Sequence, residues 1–128
     1  MCKSVIGLAV AAALLFGGKY SYDTAEYREI IAGIEIVTPD VSLIYDGVYN
    51  GFFDAVLVSA KVGVTVKDHV ITEIVINEHK NDRGKDAEVI TEDVIARQSL
   101  EVDVISGATN SSKVILKAIE IALKAEAN

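Results

Sequence analysis

Residues 56–79, VLVSAKVGVTVKDHVITEIVINEH, decide how this chain folds. Val56, Val58, Ala60, Val62, Val64 and Val66 alternate with more polar positions, which is the two-residue period of a half-buried β-strand. Asp68-His69 interrupts the run as a tight turn, and 70–79 resumes the same period, so the two halves predict an antiparallel hairpin. Upstream, Asp46-Gly47 and Asn50-Gly51 predict two turns around a short extended piece. Downstream, beyond the polar loop HKNDRGKD, the period lengthens. Ala87, Val89, Ile90, Val94, Ile95 and Leu100 recur at helical spacing, and Val114, Ile115, Ala118, Ile119, Ala122 and Leu123 stripe a second helix over 110–124. Strands followed by helices predict an α+β domain, a small antiparallel sheet with helices packed on one face.

Ahead of this domain, the uncharged run SVIGLAVAAALLFGG lies between Lys3 and Lys19. It is shorter than the roughly 20 apolar residues of a full span and of the size of a signal-peptide core. No clean small-x-small cleavage site follows, however. A snorkelling Lys19 with Tyr20 and Tyr22 at the headgroups lengthens the usable span. The expectation is therefore an N-terminal membrane helix over 1–22, a signal-anchor, with cleavage as the alternative. Lys3 and the amino terminus place the start in the cytoplasm and the domain on the extracytoplasmic side of the cell membrane. Between anchor and domain, Tyr27, Ile30, Ile31, Ile34 and Val37 predict a linker helix over 24–37, stopped by Pro39-Asp40, within a lead-in segment spanning 23–44. The domain proper is expected over 45–128.

The bulk numbers narrow the function. A chain of 128 residues, 51% hydrophobic and with Pro39 as its single proline, has the length and composition of one packed domain. A formal charge of −7 argues against nucleic acid, whose phosphates need a basic surface. Cys2 is the sole cysteine, so there is no disulfide framework. His69 and His79 have no regular carboxylate spacing beside them, which leaves no metal signature, and no nucleophile has a plausible base.

One stretch is not explained by a fold alone: Asp103-Val-Ile-Ser-Gly-Ala-Thr-Asn-Ser-Ser-Lys113, small and hydroxyl-rich, between two apolar helices. Gly107 and Ala108 allow a ligand to approach the backbone, and a helix starting near Thr109 presents unpaired N–H groups and the positive end of its dipole. Ser106, Thr109, Ser111 and Ser112 add hydroxyls and Lys113 a positive charge, so the natural guest is a phosphate. The alternative is a plain helix start, with Thr109 or Asn110 as cap and the serines in a solvated first turn.

These residues resemble the FMN-binding domain found in the C subunit of sodium-pumping NADH:quinone reductase, in the Rnf G subunit and in small Gram-positive surface flavoproteins. That family's pattern Asp-x-x-(Ser/Thr)-Gly-Ala-(Thr/Ser) is matched by Asp103, Ser106, Gly107, Ala108 and Thr109. The likeness begins at Asp46-Gly47-Val48-Tyr49-Asn50-Gly51, continues through the valine-rich hairpin and ends in the helix SSKVILKAIEIAL. The long central insertions of the respiratory subunits are missing, and the stand-alone flavoproteins look closer. The resemblance implies a cofactor, FMN, joined covalently as a phosphoester to Thr109, with Asp103 in the recognition motif of a flavin transferase. It implies an electron-transfer flavoprotein, a redox carrier or oxidoreductase subunit rather than a stand-alone enzyme, working with redox partner proteins or quinone. A module that binds FMN or another phosphate-bearing ligand reversibly is the alternative. Small relatives also carry a loop like the one formed by His79, Lys80, Arg83 and Lys85 around Gly84, whose positive charge would favour a reduced flavin.

Overall fold

The computed structural model of the chain describes residues 25–80 and 85–126. A helical stretch over 25–32 (α1) leads through extended backbone and a 3-10 turn, Val41–Leu43, into three strands: β1 (Gly47–Asp54), β2 (Ser59–Lys67) and β3 (Val70–Lys80). A second 3-10 turn, Lys85–Val89, runs into α2 (Ile90–Arg97), and α3 (Thr109–Glu126) follows an irregular stretch. The strands form one antiparallel sheet in the order β1-β2-β3.

The hairpin expected from 56–79 is present as β2 and β3. Asp68 and His69 have positive φ, 53° and 64°, the backbone a two-residue turn needs to match the twist of the strands it joins. The turn is tied to the lead-in segment: the Asp68 N–H donates to Asp46 Oδ1 at 2.8 Å, and His69 Nδ1 lies 3.1 Å from the Ile44 carbonyl. Ala60, Val62, Val64 and Val66 of β2 are buried, with Ile71 and Ile74 of β3 beside them. α3 covers them from one side, lying across β1 and β2, while α2 lies across β3. Val114, Ile115, Ala118, Ile119, Ala122 and Leu123 are all buried, as their spacing predicts. On the strands, Val48, Phe52 and Val75 remain exposed.

Asn50-Gly51, expected as a turn, lies inside β1, where Asn50 pairs with Gly63 and Gly51 with Val62. The glycine is there for packing. A Cβ on Gly51 would meet the Ala118 carbonyl oxygen, the Ala122 nitrogen and the Ala122 Cβ, all within 3 Å, so α3 could not settle on β1 with any side chain at this position. The neighbouring Tyr49 is buried and its hydroxyl donates to the Tyr45 carbonyl.

Two further expectations are corrected. Helical backbone ends at residue 32, not near Val37, because Gly33 closes the last turn and Glu120 of α3 then takes the Val37 N–H at 2.9 Å, holding that segment extended. The N-terminal membrane helix over 1–22 lies outside the described residues, and among those described no helix is long and apolar enough to cross a membrane. α3 is the longest of them, and it carries Lys113, Lys117, Glu120 and Lys124 along its length. Among the described residues, the membrane tether and the extracytoplasmic placement have no helix to rest on. The flavin transferase, redox proteins and quinone expected as partners gain no support from the described residues.

Candidate functional site

The stretch from Asp103 to Lys113 forms a compact turn that feeds α3. Asp103 is exposed and lies outside any helix or strand. The chain then reverses between Ile105 and Ala108, closed by an Ala108 N–H to Ile105 carbonyl bond of 2.9 Å. Gly107 stands third in this turn with φ +81°, a left-handed conformation that costs a side-chain-bearing residue about 1–2 kcal/mol. A Cβ there would meet nothing within 4 Å, so the backbone angle alone demands glycine and the space beside it is open.

The first bond within α3 runs from the Ser112 N–H to the Ala108 carbonyl at 3.0 Å, which makes Ala108 the cap and Thr109 the first helical residue. Neither Thr109 nor Asn110 caps the helix, and alanine has no side chain to do it. The N–H groups of Thr109, Asn110 and Ser111 precede any carbonyl the helix can offer, and they stand at the positive end of its dipole.

The four hydroxyls of the motif divide cleanly. Ser106 and Thr109 are exposed, and Thr109 Oγ1 makes no hydrogen bond among the described residues. Ser111 and Ser112 are buried, at 3% and 0% exposure. Ser112 was expected to face a phosphate; instead its Oγ donates to the Ala108 carbonyl at 2.8 Å and accepts the Ile105 N–H at 3.0 Å, inside the turn. Lys113 is half-buried one turn beyond Thr109, on the same side of the helix.

His79 does not belong to this turn. It lies near the end of β3 with its side chain only 2% exposed, and its Nδ1 is 3.0 Å from Glu88 Oε2 on the Lys85–Val89 turn. Lys80 Nζ donates to the Val56 carbonyl at 3.1 Å. Residues 81–84, Arg83 among them, lie outside the described residues, and the cationic loop expected from His79, Lys80, Arg83 and Lys85 is to that extent not described.

The family model for the FMN-binding domain matches residues 58–124, from the start of the hairpin through most of α3. This chain belongs to the FMN-binding domain family. The match covers more than half of the chain and contains the whole Asp103–Lys113 turn, so FMN is the ligand that the domain's type specifies. Comparison with curated proteins and with solved structures returned no match. As an FMN-binding domain the chain has a donor set suited to a phosphate: three helix N–H groups and a hydroxyl without partners among the described residues, and open space beside Gly107.

The sequence did not reveal the residues that hold this site in place. Glu120, 1% exposed in the middle of α3, accepts from the Val37 N–H and is paired with Lys117 and Lys124 at 2.5 and 3.2 Å. Burial pushes its carboxyl up, but the bonds from Lys117, Val37 and Lys124 outweigh this and hold it below the usual glutamate range. Gln98, in left-handed conformation at the end of α2, turns its amide onto the outer edge of β3, accepting the Ile71 N–H at 2.7 Å and donating to the Ile71 carbonyl at 2.8 Å. Two residues later the Leu100 N–H donates to Thr38 Oγ1 at 3.0 Å. The chain that delivers Asp103 is thus fastened to β3 and to the lead-in segment.

Proposed function

We propose that this FMN-binding domain carries its flavin covalently, as a phosphoester on the Thr109 hydroxyl. The observation behind this reading is the contrast among the motif hydroxyls: Ser111 and Ser112 are buried, while Thr109 is exposed, without a hydrogen bond among the described residues, and first in α3. The match of Asp103, Ser106, Gly107, Ala108 and Thr109 to the family's acceptor pattern supports the same atom. In this reading Thr109 Oγ1 replaces one phosphate oxygen, with loss of one water overall, and the linkage retains one negative charge. The N–H groups of Asn110 and Ser111 and the helix dipole offset that charge, and Lys113 adds to them from one turn along. Bound FMN supplies electron-accepting and electron-donating chemistry. The chain's own residues hold it and keep it from being lost as its free concentration falls.

Intact mass of the denatured protein from the cells that make it tests the reading. The expected result is an adduct of FMN less one water, mapped by fragmentation to Thr109. Flavin that leaves with the supernatant on denaturation would show reversible binding instead.

A further inference from the structure

We propose that Ser112 is a positioning residue for Thr109: its hydroxyl braces the acceptor turn from within and so sets where the Thr109 hydroxyl stands. The inference rests on the reading of Thr109 as the flavin acceptor. The geometry is a closed circuit around one buried oxygen. Ser112 Oγ takes the Ile105 N–H and gives its proton to the Ala108 carbonyl. The Ile105 carbonyl in turn takes the Ala108 N–H, and the Ala108 carbonyl also takes the Ser112 N–H. Four bonds therefore join the two sides of the turn, and a single side chain supplies two of them.

No neighbour could replace that brace. Gly107 has open space where a Cβ would be and a left-handed φ, so no described residue packs against the turn at that position. Ala108, the helix cap, has no polar side chain with which to fasten it. Ser112 is fully buried and its only proton is already donated, so its hydroxyl has no hydrogen left for a phosphate. Without the hydroxyl, the Ile105 N–H loses its acceptor, and only the Ala108 N–H to Ile105 carbonyl bond and the Ser112 N–H to Ala108 carbonyl bond remain. Thr109 follows that segment directly, so freedom there becomes freedom of the acceptor oxygen, and a phosphoester forms efficiently only where the reacting oxygen is held.

The test uses the full chain as wild type, Ser112→Ala, Ser112→Thr and Thr109→Ala, with two readouts. In flavin-free protein, Ser112→Ala should speed amide exchange at Ile105 and Ala108 about tenfold, the factor of one lost hydrogen bond of ordinary strength, and leave Val62 and Val64 in the sheet unchanged. In protein from the native cells, the FMN-adduct fraction of folded Ser112→Ala should fall severalfold, Ser112→Thr should regain most of it, and Thr109→Ala should show none. Unchanged exchange at Ile105 and Ala108, or an adduct fraction equal to wild type, overturns the positioning role. So does faster exchange in sheet and turn alike, since that reports a general loss of stability. A wild type without adduct at Thr109 removes the acceptor reading and the positioning role together, whereas an adduct on wild type and Ser112→Ala alike removes the positioning role only.

Discussion

Gly51 of β1 lies so close to Ala118 of α3 that a Cβ on the glycine would stand 2.1 Å from the alanine carbonyl oxygen. Helix and strand here touch backbone to backbone. The Ala122 nitrogen, 2.7 Å from the same position, closes the other side, so neither element can give way alone. Gly51→Ala should therefore destabilise the domain by about 3 kcal/mol or more, at the upper end of overpacking costs. Urea unfolding checks it, and a midpoint within error of wild type would mean that α3 sits farther from β1 than described.

Thr109→Ala separates chemistry from folding. The side chain is exposed and makes no hydrogen bond among the described residues, so stability should change by no more than about 0.5 kcal/mol while the FMN adduct disappears. Should an adduct survive, fragmentation is expected to find it on Ser106, the other exposed hydroxyl of the motif, because Ser111 and Ser112 are buried.

Glu120 makes stability depend on acid. Burial pushes its carboxyl up, but Lys117, the Val37 N–H and Lys124 together hold it below the ordinary glutamate value of about 4.5. A folded pKa below the unfolded one contributes stability that is fully present above the unfolded value and is lost as pH falls through the folded one. Wild type should thus lose stability as pH drops below about 4.5. Glu120→Gln should be about 1–3 kcal/mol less stable at neutral pH and show a shallower acid slope. Thermal midpoints from pH 7 to pH 3 give both quantities, and parallel curves would rule Glu120 out as the source.

Gln98 combines two opposed contributions that a pair of variants can split. Its left-handed φ of 52° favours glycine, whereas its amide satisfies the backbone of Ile71 on the edge of β3. Gln98→Ala keeps the strained angle and loses the bonds, and should cost about 1–3 kcal/mol. Gln98→Gly loses the same bonds but relaxes the angle, so it should be more stable than the alanine variant by about 1 kcal/mol. Equal midpoints in urea would show that the backbone angle carries no cost here.

Periodicity alone determined the hairpin, its Asp68-His69 turn and the buried face of α3, whereas Val89, expected on the buried face of the preceding helix, is exposed in the 3-10 turn ahead of α2. In each case a residue's neighbours along the chain are also its neighbours on the buried surface, so a pattern of two or 3.6 residues reports burial directly. The Asp103–Thr109 motif was legible for a related reason: a turn, a left-handed glycine and a helix start are all local. Tertiary structure alone decided the rest. Gly51 reads as a turn residue until α3 is placed upon it, and Glu120 reads as a surface charge until a backbone N–H 83 positions away reaches it. Ser111 and Ser112 looked like phosphate ligands beside Thr109. A helix packed on a sheet buries part of its circumference, and only the sheet beneath α3 determined that Ser111 and Ser112 fall within that part while Thr109 does not.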